Sequence, residues 1–135
     1  MKIIVAAHGE LAKALVESVR LIIGDGYNLD YYCLTQEKSG DIGKQELTEL
    51  ILRENTQDLV VFTDVFGGSV NNICLEILIS QKEAEKFHLI SGVNLPLIMT
   101  TIMSGADSLE AKLAEAMEEA QSGIKYINNL VKGAV

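Results

Sequence analysis

The 135-residue sequence predicts an α/β protein: a single doubly wound, mostly parallel β-sheet with helices on both faces. Three observations predict this fold. Short apolar runs typical of buried strands alternate with longer segments of helical periodicity. Each run ends in small or polar residues, as strands do before a crossover helix. No repeat, low-complexity tract or linker interrupts the chain, so residues 1–135 are predicted to form one domain.

The first half of the chain predicts two strands, each followed by a helix. The apolar run over residues 3–7 predicts a strand covered on both faces. Apolar residues recur at helical spacing from Glu10, and Gly24 is placed to end that helix. Residues 29–34 predict the second strand, and residues 42–53 predict the helix after it.

The second half of the chain continues this alternation. Its predicted strands and helices cover, in order, residues 59–62, 71–79, 87–90 and 95–103. Ser108 is a residue type that caps helix N-termini, and the Ala, Leu, Met and Glu residues after it predict a last long helix. The pattern over residues 124–127 leaves a final strand and a continued helix both open.

Charge and composition argue against several kinds of partner. The 19 acidic and 11 basic residues give a formal net charge of −8. Nucleic acids and anionic membranes both need clustered Lys and Arg, so neither is expected to bind. The opening apolar run is too short for a signal peptide or a membrane span, and the two cysteines form no zinc, redox or disulfide pattern. We expect a cytoplasmic protein.

Three predicted strands end where ligands bind in an open parallel sheet. These ends are His8-Gly9, residues 64–69 and residues 91–94. If the first and third strands are neighbours where the strand order reverses, His8 and Asp64 come together. A carboxylate at one imidazole nitrogen fixes the tautomer and leaves the other nitrogen as a nucleophile. We therefore predict His8 and Asp64 as the catalytic pair.

The glycine-rich segment after the third strand offers groups that suit a phosphoryl group. Gly67, Gly68 and Ser69 bring backbone N–H groups, a hydroxyl and the positive end of a helix dipole, and Gly9 leaves room beside the histidine. Taken singly, each of these residues is better explained as a turn or cap residue. A lone histidine more often has a surface or core role, and His88 is interpreted in that way. Only the combination favours a functional site.

Nucleotide and metal motifs do not accompany these residues. Residues 40–44 lack the spacing of a P-loop, and no HExxH or CxxC pattern occurs in the sequence. We therefore expect neither a metal nor another cofactor. A histidine nucleophile then suits phosphoryl transfer from a phosphoprotein better than transfer from ATP.

Three segments of the sequence are similar to the IIA component of the mannose-class (mannose/fructose/sorbose) bacterial sugar phosphotransferase system. They are IIVAAHGELAKAL, VVFTDVFGGSVNN and LISGVNLPLIMTTI, and the resemblance extends over nearly the whole chain. It implies a phosphotransferase component that works through phosphohistidine, with His8 phosphorylated, Asp64 orienting it and Ser69 next to the phosphate. The implied donor is the phosphocarrier protein HPr, and the acceptor is a IIB component that serves the membrane IIC and IID components. Selectivity for the sugar would reside in those membrane components.

The same resemblance implies a homodimer in which residues 124–127 form an antiparallel edge strand exchanged between subunits. Three other functions are compatible with part of this pattern. A phosphotransferase subunit of dihydroxyacetone kinase shares the fold and the histidine but is expected to lack the Asp-x-x-Gly-Gly-Ser pattern. A response-regulator receiver would be phosphorylated on Asp64, but it needs acidic residues after its first strand, where this chain has Ala6-Ala7-His8. A regulatory module without transfer activity is the third alternative.

Overall fold

The computed structural model describes residues 1–54 and 58–132, and its contacts divide the chain into two compact units. The first unit, Met1–Asn94, contains all the strands of the described residues. Its elements are β1 (Lys2–His8), α1 (Leu11–Ile23), β2 (Leu29–Leu34), α2 (Gly40–Glu54), β3 (Leu59–Thr63), α3 (Ser69–Ser80), a 3₁₀ turn (Glu83–Glu85) and β4 (His88–Ile90).

The four strands form one parallel sheet in the order β2-β1-β3-β4. The chain passes from β1 outward to β2, then crosses back to β3 and β4 on the other side, so the strand order reverses between β1 and β3. His8 lies opposite Leu34 of β2, and Ala6 lies opposite Thr63 of β3. The carboxyl ends of these three strands therefore meet at one edge, and the predicted doubly wound parallel sheet is confirmed.

Helices of this unit cover both faces of the sheet, and the side chains of β1 alternate between the two faces. On one face Ile4 and Ala6 belong to an apolar core that α2 and α3 complete. The buried residues from the two helices in this core are Leu47, Leu50, Ile51, Val70, Cys74 and Ile77. On the other face α1 packs on β1 and β2 and buries Ala12, Val16 and Val19. His8 lies at the carboxyl end of β1, directly after the buried residues 3–7.

The second unit begins at Leu95 and contains only helices among its described residues: α4 (Leu95–Met103), α5 (Leu109–Ser122) and α6 (Ile127–Val131). Helices α4 and α5 pack against each other. The Ser108 side chain accepts a hydrogen bond from the Ala111 N–H, so the predicted cap of α5 is confirmed. No helix of the described residues is both long and apolar enough to cross a bilayer.

The segment over residues 124–127 differs from the implied edge strand. Residues 124–126 have no regular structure, and Ile127 begins α6. A strand is stabilised only beside a neighbour that shares its backbone hydrogen bonds. In the described part of this single chain no strand pairs with the segment, which explains why it is not extended here. Its exchange between two subunits stays a prediction.

Candidate functional site

His8 is the last residue of β1 and lies at the point where the strand order reverses. Gly9 follows with φ of +62°, a conformation that residues with a Cβ rarely adopt. Its N–H donates to the carbonyl oxygen of Leu34 at 2.9 Å, which ties the turn to the end of β2. The imidazole thus extends from a fixed backbone, and its side chain is 46% exposed.

Asp64 holds one side of the imidazole. Its Oδ2 lies 2.8 Å from His8 Nδ1 and also accepts the backbone N–H of His8 at 2.9 Å. Its Oδ1 accepts the N–H of Val65 at 3.0 Å, and the side chain is only 8% exposed. Because an ionised carboxylate only accepts hydrogen bonds, the contact places a hydrogen on Nδ1. The neutral ring is therefore held as the tautomer with a bare Nε2.

The other ring nitrogen faces a hydroxyl. Ser69 Oγ lies 2.8 Å from His8 Nε2, and Ser69 is the first residue of α3. With the hydrogen on Nδ1, Nε2 offers a lone pair and the Ser69 hydroxyl donates to it. The ring is thus fixed at both nitrogens, by a carboxylate from the end of β3 and a hydroxyl from the start of α3.

The charge of Asp64 is favoured by these contacts. Burial alone would raise the pKa of the Asp64 carboxyl, but the backbone and side-chain hydrogen bonds from His8, with the attraction of that ring, outweigh burial and lower the pKa below its ordinary value. Asp64 is therefore ionised near neutral pH. A fixed negative charge beside Nδ1 stabilises positive charge that develops on the ring.

The loop from Asp64 to Gly68 packs closely against the imidazole. Gly67 has φ of +81°, and the Gly68 N–H donates to the Val65 carbonyl oxygen at 3.0 Å, so the chain turns tightly into α3. A Cβ at Gly68 would lie 3.3 Å from His8 Cε1. The first N–H groups of a helix have no partner within the helix, so the start of α3 can bind an anion beside Nε2.

The structure brings His8, Asp64, Gly68 and Ser69 together, with Gly9 and Gly67 in the turns beside them. Residues 91–94 contact β3 through the Val93 N–H, which donates to the Thr63 carbonyl oxygen at 3.0 Å. The other histidine, His88, begins β4 and is half-buried.

Sequence reasoning missed two polar residues of this region, Thr63 and Asn71. Both are buried, and the Thr63 hydroxyl donates to Asn71 Oδ1 at 2.7 Å. The sequence signal for Thr63 was its position as a polar residue directly after the apolar run over residues 59–62. Within residues 1–54 and 58–132, no three His, Cys, Asp or Glu side chains are grouped so that they could hold a metal ion.

The fold and this site define a class of protein: a doubly wound α/β protein that presents an oriented histidine at the switch point of its sheet. The family model described as the PTS system fructose IIA component matches residues 2–121. The chain therefore belongs to the fructose- and mannose-class IIA family of the phosphotransferase system (PTS), and the predicted resemblance is confirmed.

Curated relatives agree with this family. The mannose-specific EIIAB component of Escherichia coli K12 is 25% identical over 128 residues, which cover 93% of this chain and 39% of the relative. The chain thus spans about two fifths of that longer protein. The sorbose-specific EIIA component of Lacticaseibacillus casei is 29% identical over 103 residues, 73% of this chain and 70% of the relative.

Solved structures show the same architecture. A Klebsiella pneumoniae protein, assigned to a phosphoenolpyruvate-dependent sugar PTS permease, is 34% identical with a TM-score of 0.80, covering 96% of this chain and 93% of that one. The EIIA component of Streptococcus agalactiae has a TM-score of 0.84 and covers 95% of this chain and 98% of its own length. It is 21% identical, so this likeness bears on the fold alone.

Proposed function

We propose that this IIA protein is a phosphocarrier in which His8 accepts a phosphoryl group from phospho-HPr and donates it to a IIB component. The observation that carries this proposal is the 2.8 Å contact between His8 Nδ1 and Asp64 Oδ2. It leaves Nε2 as the nucleophilic nitrogen on a ring that is exposed enough for a partner protein to reach.

The transfer forms one bond and breaks one. The Nε2 lone pair attacks the phosphorus, and the bond between phosphorus and the donor protein breaks, with its electron pair leaving on the donor. The ring keeps its hydrogen on Nδ1 and gains positive charge as the new bond forms. Asp64 stabilises that charge without moving, because both of its oxygens are already hydrogen-bonded. Transfer to IIB reverses these steps.

Ser69 has two successive partners in this mechanism. In the unphosphorylated protein its hydroxyl occupies the Nε2 lone pair. As the donor approaches, the hydroxyl turns away from the nitrogen and donates to a phosphoryl oxygen instead. The N–H groups at the start of α3 are placed to share the remaining negative charge. Gly9, Gly67 and Gly68 leave space for the phosphoryl group around the ring.

The partner proteins would bind over the loop that surrounds His8. Val65 and Phe66 belong to this loop and are exposed, Phe66 by 83%. Large apolar side chains next to a reacting group supply contact area for a transient protein complex. We place the protein in the cytoplasm as a homodimer, where it would pass phosphate through IIB to sugar entering by the membrane IIC and IID components.

The alternatives gain no support from the site. A receiver domain would be phosphorylated on Asp64, but this carboxylate is buried beneath the imidazole and accepts three hydrogen bonds. The curated relatives reported above are mannose and sorbose PTS components, which does not favour a dihydroxyacetone kinase subunit. A module without transfer activity leaves the oriented Nε2 without a role.

The experiment is phosphorylation by phosphoenolpyruvate with the general PTS proteins, followed by mapping of the modified residue. We expect one acid-labile, alkali-stable phosphoryl group on His8. It should be absent from His8→Ala and present in the matched variant His88→Ala. Labelling of His8→Ala at the wild-type level, or an alkali-labile label on Asp64, would contradict the proposal.

A further inference from the structure

A buried hydrogen bond closes the base of the loop that carries Asp64 and Ser69. The Thr63 hydroxyl donates to Asn71 Oδ1 at 2.7 Å, across eight positions of sequence. Thr63 is the last residue of β3, and Asn71 lies in the first turn of α3. Both residues are buried, so the bond joins the end of the strand to the start of the helix inside the protein.

Burial makes this hydrogen bond harder to break. When one partner of a buried hydrogen bond moves away, the other loses its partner without gaining water, so the pair resists separation more strongly than an exposed pair does. Thr63 is held further by its carbonyl oxygen, which accepts the Val93 N–H at 3.0 Å. Asn72, the next residue of α3, donates through Nδ2 to the Gly67 carbonyl oxygen at 3.2 Å. The strand end and the helix start are therefore linked both at the base and within the loop.

The two residues that hold the His8 ring sit directly beside this pair. Asp64 follows Thr63, and Ser69 precedes Asn71 by two positions. Asp64 contacts Nδ1 and Ser69 contacts Nε2, both at 2.8 Å, from opposite sides of a rigid ring. Because the ring has a fixed width, both contacts form together only when the strand end and the helix start keep one separation.

We propose that Thr63 and Asn71 are positioning residues that set the distance between the Asp64 carboxylate and the Ser69 hydroxyl. Neither residue touches the phosphoryl group, and both act through their neighbours. The consequence for transfer rests on the proposed function of His8. The consequence for the geometry of the ring does not, so the two are measured separately.

The test uses Thr63→Val, which keeps the shape of the side chain and removes the hydroxyl. Two quantities are measured: the ¹⁵N chemical shifts of the His8 ring nitrogens at pH about 8.5, where a free imidazole is neutral, and the single-turnover rate of transfer from phospho-HPr. We expect a smaller fraction of the Nδ1–H tautomer and a rate lower by about tenfold or more, since small misplacements of a reacting group have large effects. Thr63→Ser keeps the hydroxyl and should restore both values.

Two further variants complete the design. Thr101→Val is the matched control, because Thr101 is also a buried threonine with a 2.8 Å hydroxyl bond, made to Leu97 O within α4. It should change neither measurement. If Thr63→Val does not fold, the double variant Thr63→Val/Asn71→Leu replaces it, since neither member of the pair then lacks its partner.

The outcomes separate the possible explanations. A folded Thr63→Val protein, or its double-variant replacement, with wild-type ¹⁵N shifts and rate would overturn the inference and leave the pair a purely structural role. The same holds if Thr101→Val changes both quantities equally. If the wild-type protein accepts no phosphate but Thr63→Val still shifts the tautomer, the proposed function fails while the positioning role stands.

Discussion

His8 Nδ1 lies 2.8 Å from Asp64 Oδ2, although 56 positions separate the two residues in the sequence. The contact exists because β1 and β3 are parallel neighbours whose carboxyl ends meet at one edge of the sheet. The same carboxylate oxygen accepts the His8 backbone N–H at 2.9 Å. Asp64 therefore fixes the hydrogen on Nδ1 and places a negative charge beside it, whereas the Ser69 hydroxyl contacts Nε2. Substitutions at the two positions should have separable effects.

Replacement of Asp64 by Asn should slow transfer without unfolding the protein. Asn keeps the size of the side chain but removes the charge that stabilises the ring, and it no longer enforces the Nδ1–H tautomer. We expect the single-turnover rate from phospho-HPr to fall by about 100-fold, the effect of losing one preorganised electrostatic contact. Transfer at the wild-type rate would reduce Asp64 to a turn residue.

The lowered pKa of Asp64 predicts a loss of stability in acid. A carboxyl whose pKa is lower in the folded than in the unfolded protein stabilises the fold above the ordinary pKa of about 3.9, and this contribution disappears as pH falls through the folded value. The wild type should therefore exceed Asp64→Asn by about 1 kcal/mol in unfolding free energy near neutral pH.

That difference should shrink steadily below pH about 4 in urea denaturation, because Asp64 is protonated first in the unfolded state and, as pH falls further, in the folded state as well. Asp25→Asn is the matched control, since it removes a carboxylate from an exposed bend, and it should leave stability nearly unchanged. A gap between wild type and Asp64→Asn that persists undiminished at pH about 2 would contradict the expected titration.

Replacement of Ser69 by Ala should weaken transfer but keep the tautomer. The variant loses the hydroxyl at Nε2, while Asp64 still holds the hydrogen on Nδ1. We expect transfer to fall by about tenfold, the value of one hydrogen bond to a charged group, with unchanged ¹⁵N shifts at Nδ1. Ser69→Thr retains a hydroxyl and should lose less. A tautomer change in Ser69→Ala equal to that in Asp64→Asn would show that the two contacts are not separable.

A methyl group at Gly68 should displace the His8 ring. A Cβ there would lie 3.3 Å from His8 Cε1 and 3.2 Å from the Val65 carbonyl oxygen, so either the ring or the loop must move by a few tenths of an ångström. We expect Gly68→Ala to slow transfer about three- to tenfold. Gly26→Ala is the control, because in the described part of the chain no atom beyond the two adjoining residues lies within 4 Å of the added carbon. Equal rates in the two variants would mean that the loop absorbs the methyl group without disturbing the ring.

The residue pattern was sufficient to predict the order of the strands and helices and the positions where the strands end. The fully buried run over residues 3–7 and the polar residues after it are local features, and local features predicted where β1 stops. The start of α3 was predicted less accurately: the helix begins at Ser69 rather than near residue 71. Gly68 is extended, with φ of −74° and ψ of 166°, and the change to helical backbone occurs directly after it.

Other features depend on contacts that no local pattern reports. The pairing of Thr63 with Asn71 is set by the path of the loop between them, and both residue types are ordinary in turns and helix starts. Similarly, the conformation of residues 124–127 depends on whether another strand lies beside them, which periodicity cannot indicate. The sequence also cannot say which ring nitrogen of His8 has which partner. The structure places Asp64 at Nδ1 and Ser69 at Nε2.

The most direct test is to determine which ring nitrogen carries the phosphoryl group, by ¹⁵N NMR of histidine-labelled protein after phosphorylation. Because Asp64 holds the hydrogen on Nδ1, we predict that the phosphoryl group is on Nε2 of His8, with a hydrogen still on Nδ1. A phosphoryl group on Nδ1 of His8 would contradict the account, since that nitrogen is the one bound to the carboxylate. A phosphoryl group on His88 would contradict it equally.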